Sequence, residues 1–270
     1  MILDALFHSQ VDLETPERLL YGYTRIYAGI IETAFPGRGP IDTFSVGGGG
    51  YVFPRYIELT RPGSLVEVAE IDPAVTEAAR EAFGLPADSS IEIHHMDARN
   101  RVSELVRQKE DGHHTRAFDC IFGDSFSGFA IPYHLTTLEF TQDLADLLKD
   151  DGMYLLNVVD VFSSGRLLGP ALHTCRAVFP HVYLLASGTA FDKRSTFVIA
   201  CSKRPLDTTS IVSQVQERYD MDVRIPTQEE LASLTARSAD LLLTDDFAPV
   251  ENLISGLWKE LPSWSEQSTP

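Results

Sequence analysis

Positive charge is what this chain has least of: 22 Lys and Arg stand against 39 Asp and Glu in 270 residues, a formal net charge of −17. Nucleic acid or an anionic membrane would be repelled over a Debye length of about 8–10 Å, so neither is expected as a partner. A cationic small molecule such as a polyamine is compatible with that charge, and so is a plain solubility role. Cysteine is scarce as well. Cys120, Cys175 and Cys201 form no Cys-x-x-Cys pair and fall in stretches that read as strand or helix interior, so buried free thiols and a reducing, cytoplasmic setting are expected. No apolar run approaches the roughly 18 residues that a membrane helix needs, and Met1 to His8 has neither a basic lead nor a sustained apolar core, so no signal peptide is expected. Gly-x-x-x-x-Gly-Lys-Ser/Thr and Gly-x-Ser-x-Gly are both missing, which argues against a P-loop and against a serine hydrolase elbow. His94-His95 would point to opposite faces of a strand and His113-His114 sits in a charged loop, so no metal site is expected.

What is present is 44% apolar residues, enough for a substantial core, in an alternating order of strands and helices. Apolar and aromatic residues at helical spacing run from Pro16 to Phe35. Strands are expected at Thr43–Val46, Leu65–Ile71, Ile91–His95, Phe118–Phe122 and Met153–Val159. Helices are expected between them at Val52–Leu59, Ala74–Phe83 (Asp72 as N-cap, Pro73 first), Asn100–Lys109 and Leu135–Leu148. Helical crossovers imply parallel pairing. After a helix at Leu168–Phe179, Val182–Ala186 and Thr196–Cys201 are joined by a loop alone, as in an antiparallel pair. The fold class is therefore α/β, Rossmann-like, with a seven-stranded, mostly parallel sheet ending in an antiparallel hairpin and helices on both faces. The expected division is a strand remnant and helix (1–40), a nucleoside-binding domain (41–204) and a helical extension with a tail (205–270). In that extension Asp207–Gln216 is expected as a helix capped by Thr208 or Thr209, and Glu229–Leu242 as another.

The chemistry concentrates after the first two of those strands. Thr43 to Gly49 ends in consecutive glycines, and Glu70-Ile71-Asp72 follows the next strand about 20 residues on. Glycines let backbone approach a ligand without a Cβ, and an acid at the next strand tip accepts hydrogen bonds from vicinal ribose hydroxyls. The dinucleotide fingerprint wants a third glycine where Val52 stands, and Pro54 follows, so a diphosphate is disfavoured. An adenosyl sulfonium, with ribose and adenine but no pyrophosphate, fits the pattern.

With these glycines, Glu70, Asp97-Ala98-Arg99, Asp124-Ser125-Phe126-Ser127 and the Leu-Leu-Lys-Asp-Asp-Gly-Met lead into Met153, the chain resembles class I S-adenosylmethionine-dependent methyltransferases. Within them it is most similar to the spermidine synthases, the aminopropyltransferases, over about Ile2 to Ser202. Ile2-Leu3-Asp4-Ala5-Leu6-Phe7-His8 is similar to that family's V-L-D-G-x-x-Q. The resemblance implies that Gly47, Gly48 and Gly49 pass beneath the nucleoside, Glu70 holds the ribose, and Asp97-Ala98 receives the adenine amino group. It implies that Asp124 meets both donor and incoming amine. Tyr21, or Tyr23 two residues on, stands where the family places an amine-contacting tyrosine, with Tyr21 taken beside Asp124 as catalytic and core packing as its alternative. An alkylamine is almost wholly protonated at neutral pH, and a carboxylate that takes up its proton makes it a nucleophile. The implied co-substrate is S-adenosylmethionine or its decarboxylated form, and the implied acceptor is a small amine or polyamine.

Two departures bear on function. The family's acid inside the glycine motif is Gly50 here, and the second carboxylate of its D-S-x-D is Ser127. Asp160, Asp245 and Asp246 are candidate replacements, each with a cap or solvated acid as its alternative. The chain also starts at the family's last N-terminal strand. Aminopropyl transfer is the first expectation, methyl transfer (favoured by Gly50) the second, and a catalytically silent nucleoside-binding protein the third. An oxidoreductase has only Gly47, Gly49 and Glu70 in its favour. The first helix, rich in Tyr and Ile, offers a surface for a homodimer.

Overall fold

A computed structural model describes residues 2–3, 6–7, 9–112, 116–128, 130–188, 193–237 and 241–256. His113-His114, the tail from Trp258 and three residues of the opening motif (Asp4, Ala5 and His8) lie outside those described. Two short strands, β1 (Ile2–Leu3) and β2 (Leu6–Phe7), pair antiparallel at the N-terminus. An eight-stranded sheet then forms from β3 (Thr43–Val46), β4 (Val66–Ala69), β5 (Glu92–His94), β6 (Phe118–Gly123), β7 (Leu148–Asp160), β8 (His181–Ser187), β9 (Ser195–Ser202) and β10 (Val223–Arg224). Its spatial order is β10-β8-β9-β7-β6-β3-β4-β5, parallel from β7 through β5 and antiparallel from β7 through β9 and β8 to β10. The eighth strand corrects the expected seven: two residues of the C-terminal extension are too short a run to carry a period, and only pairing with Ala186 and Ser187 makes them a strand.

Nine helices surround the sheet among the described residues: α1 (Gly22–Ala34), α2 (Val52–Thr60), α3 (Pro73–Ala82), α4 (Ala98–Glu110), α5 (Leu138–Leu147), α6 (Leu168–Val178), α7 (Thr208–Tyr219), α8 (Gln228–Arg237) and α9 (Val250–Ile254). None is long and apolar enough to cross a membrane. Two apolar clusters fill the faces. One joins Ile30 of α1, Phe53 of α2, Ala79 of α3 and Ile211 of α7; the other joins Val102, Leu144, Leu172, Leu234 and Val250 of α4, α5, α6, α8 and α9. Alternation along β6 divides its side chains between them, Ile121 to one and Phe122 to the other. Cys120, Cys175 and Cys201 are buried free thiols, and burial pushes Cys120 and Cys201 up.

Local chemistry sets most boundaries. Asp72 accepts from Ala74 N at 2.9 Å and Pro73 opens α3, as the sequence predicts. The first long helix begins at Gly22 instead of Pro16: Tyr21 is extended, and Arg25 Nε binds Leu19 O at 2.9 Å, fixing the preceding residues as a strap. Asp207, not Thr208 or Thr209, caps α7, its Oδ1 accepting from Ser210 N at 3.0 Å. That helix packs on α1 so closely that a Cβ at Gly29 would lie 2.3 Å from Val215 Cγ2. The stretch from Ile26 to Ile31 is therefore buried against α7 and the sheet.

Glu67 of β4 is fully buried between two guanidinium groups: Arg101 Nε donates to Oε1 at 2.6 Å and Arg116 NH1 to Oε2 at 2.7 Å. His94 and Glu92 lie against the same cluster, whose three carboxylate and imidazole groups sit close enough to hold a cation. The arginines already supply the counter-charge there. Replacing Glu67 with Gln leaves Arg101 with only the partly exposed Glu104, so stability is expected to fall by about 2 kcal/mol. Thermal unfolding would then show a midpoint lower by about 4–8 °C.

Candidate functional site

The parallel strands run out at one edge of the sheet, and their order reverses between β3 and β6. Crevices at such reversals are where open α/β sheets bind ligands. Here a cavity of ≈ 380 Å³ opens between the turn after β3, Glu70–Asp72 after β4 and Asp124–Gly128 after β6. Since β4 and β6 flank β3, the two acidic ends lie about 10 Å apart, two strand spacings.

The glycine turn is required by contacts on both sides. Gly47 has φ +96°, and a Cβ there would lie 2.7 Å from the backbone oxygen of Asp124. Tyr51 closes the turn in the left-handed region, φ 54°, a costly conformation for a bulky residue. Its hydroxyl shares a hydrogen bond with Thr76 Oγ1 at 2.7 Å, and His95 Nε2 lies 3.0 Å from the same oxygen. Burial pushes the Tyr51 phenol up to about 12.

Glu70 faces this turn and fastens it. Its Oε2 accepts from Gly48 N at 2.9 Å and Gly49 N at 3.3 Å, while Oε1 accepts from Asp72 N at 2.9 Å. Oε1 keeps a lone pair for a hydroxyl. The acid expected to hold a ribose is therefore at the cavity wall and pre-oriented by three backbone donors. Ile71, two-thirds exposed at 66%, is a free apolar surface on the same wall.

At the opposite end Asp124 is half-buried between two donors. Tyr23 Oη donates to Oδ2 at 2.8 Å, and Asn157 Nδ2 donates to Oδ1 at 2.9 Å. Desolvation raises the Asp124 carboxyl above the ordinary aspartate range, partly opposed by those two donors, Asn157 first. The Tyr23 phenol is held well above its usual value by burial and by Asp124, so it remains a donor. Tyr21 also lines the cavity, its rings 6.0 Å from those of Tyr23, but the bond to Asp124 belongs to Tyr23. Tyr21 lies in the extended segment before α1 and Tyr23 in its first turn, so the packing of α1 on the sheet brings the second hydroxyl to Asp124. Asn157 carried no signal in the sequence beyond its place on a strand beside β6.

Other candidates are used elsewhere. Asp97 and Ala98 do not line the cavity. Asp97 caps α4, its Oδ1 accepting from Arg99 N at 2.8 Å, and its Oδ2 lies 2.9 Å from His134 Nε2, because the open helix N-terminus and the nearby imidazole supply donors to both oxygens. Asp160 accepts from Val161 N, Leu167 N and Leu168 N at 2.7–2.9 Å and so caps α6. Asp245 is gripped by both terminal nitrogens of Arg99, and neither it nor Asp246 borders the cavity. The space beside Gly50 is taken by Ser9, which accepts from Gly50 N at 2.9 Å and would lie 2.7 Å from an added Cβ.

The chain has relatives among known proteins. The chain is 31% identical over 168 residues to the polyamine aminopropyltransferase of Vibrio vulnificus, covering 62% of this chain and 52% of that protein. The probable spermidine synthase of Corynebacterium glutamicum superposes with a TM-score of 0.72 at 20% identity, covering 88% of this chain and 85% of that one. The fold is the Rossmann-like fold of the class I methyltransferases. The N-terminal histidine N-methyltransferase of Emericella nidulans is 31% identical over 156 residues, 53% of this chain and 26% of that protein. The chain thus spans about half the length, or less, of these curated relatives. No protein-family model matches it.

Proposed function

We propose that this chain is a transferase that alkylates an amine with an adenosyl sulfonium donor, and that the group transferred is methyl. The observation that carries the reading is the Tyr23–Asp124–Asn157 arrangement across the cavity from Glu70. When bound, the donor supplies a carbon whose bond to sulfur breaks, with its electron pair, as the amine nitrogen bonds to that carbon. Asp124 first pairs with the ammonium and then takes up the proton that frees its lone pair. Tyr23 and Asn157 hold the two carboxylate oxygens, so the third direction is left to the amine. Glu70 and the glycine turn fix the nucleoside, placing the reacting carbon toward Asp124.

The donor is inferred from charge. Ser9 occupies the place of an acid at Gly50, so the glycine turn itself brings no charge to balance a lone donor ammonium. S-adenosylmethionine brings ammonium and carboxylate together, and the first turn of α2, which lacks a side-chain cap, borders the cavity at Val52 and Phe53 with N–H groups suited to a carboxylate. Aminopropyl transfer is the second reading. It is favoured by the lining itself, which among the described residues includes the carboxylates Glu70, Asp72 and Asp124 and no Lys, Arg or His. Calorimetry with S-adenosylmethionine and its decarboxylated form tests the choice: the carboxylated donor is expected to bind at least tenfold tighter, about 1.4 kcal/mol, and the opposite preference establishes aminopropyl transfer.

Protonation of Asp124 gives a further expected result. The reaction needs its ionised form, so activity falls as pH drops through a pKa that lies above the ordinary aspartate value. The Asn157 N–H lowers that pKa, so Asn157→Leu is expected to move the acid limb of the kcat/KM profile to higher pH. An unmoved or lower limb removes Asp124 as the titrating base.

A further inference from the structure

We infer that the acceptor is a primary monoamine with an apolar body, anchored by one ammonium, in place of a diamine. This rests on the amine-alkylation reading above and holds whichever group is transferred. Across the cavity from Glu70, Asp124 is the one carboxylate that the turn after β6 presents to the cavity among the described residues. Asp97, Asp160 and Asp245 do not line the cavity and are each committed elsewhere: Asp97 to the α4 cap and His134, Asp160 to three backbone N–H groups, and Asp245 to Arg99, while Asp72 stands with Glu70 after β4 and caps α3. Beyond Asp124 the wall is built from Tyr21, Phe122, Phe126 and Pro132. Ser127 stands exposed at its rim, in a tight hairpin closed by Ser127 N to Ala130 O at 2.8 Å and Ala130 N to Ser127 O at 3.2 Å. Its hydroxyl brings no charge to that rim, three residues along the same turn from Asp124. A methyl group there gains apolar contact; an ammonium gains no counter-charge and gives up part of its hydration.

The matched pair n-butylamine and 1,4-diaminobutane tests this by calorimetric titration into the full chain loaded with S-adenosylhomocysteine. The monoamine is expected to bind at least threefold tighter. Equal or tighter binding of the diamine overturns the inference, as does binding of neither amine. Ser127→Asp, whose hairpin is held by backbone bonds alone, is expected to raise affinity for the diamine at least threefold and to leave the monoamine unchanged; no gain for the diamine overturns the assignment of this rim to the acceptor's far end. Loading with S-adenosylhomocysteine gives its own heat signal. Its absence overturns the adenosyl sulfonium reading itself and is thereby distinguished from failure of the acceptor inference.

Discussion

Asp124→Asn is expected to lower turnover by about 10²–10⁴-fold while S-adenosylhomocysteine binds with nearly unchanged affinity. The substitution preserves shape: the amide oxygen still accepts from Asn157, and the Tyr23 hydroxyl turns to accept from the new amide. What disappears is the charge that pairs with the ammonium and the base that takes its proton. The same variant is expected to be the more stable protein at neutral pH. Burial raises the folded-state pKa of Asp124, so the fold binds a proton more tightly than the unfolded chain does, and stability falls as pH rises from the unfolded value of about 3.9 through the folded one. Asparagine removes that loss, a gain on the scale of about 0.5–2 kcal/mol usual for neutralised functional groups. Melting points at pH 7 and below pH 4 check the sign: the variant's advantage should be present at the first and vanish at the second. Unchanged turnover would eliminate Asp124 as the base.

Glu70→Ala is expected to weaken binding of S-adenosylhomocysteine at least a hundredfold, about 2.7 kcal/mol. Two losses combine. The ribose loses its acceptor, and Gly48, Gly49 and Asp72 lose the partner of their N–H groups, so the turn that must lie beneath the nucleoside is no longer fixed. Unfolding should also come earlier, since unpaired backbone donors near a buried wall cost about 1–3 kcal/mol. Isothermal calorimetry reads the first effect and thermal unfolding the second. Affinity within threefold of the parent chain would place the nucleoside elsewhere.

The strands and the glycine turn were legible because their signals are local. An apolar run that ends in glycine, or Asp-Pro ahead of a helical period, is fixed by backbone sterics and by capping within a few residues, and Thr43–Val46, Asp72 and Pro73 all stand as that chemistry requires. Glu70 was legible for the same reason, being the first acid past a strand tip. The partner of Asp124 was not. Tyr21 and Tyr23 are the same residue type within one apolar run, and the choice between them depends on where α1 begins and how it packs against β8, β9 and α7, which come more than 150 residues later. The contact of Asp97 with His134 was illegible for a similar reason, because His134 reaches it from a segment 37 residues away.

By itself the sequence determined the order of strands and helices, the turn that excludes side chains beneath a ligand, and the two carboxylates after β4 and β6, since each depends on residue type and short spacing. Only tertiary structure decided which donors face those carboxylates, that Ser9 fills the space beside Gly50, that Asp160 and Asp245 are already bound, and that a two-residue strand extends the sheet. Those contacts join segments distant along the chain, and a pair of atoms separated by a hundred residues is brought within 3 Å by the packing of the whole core.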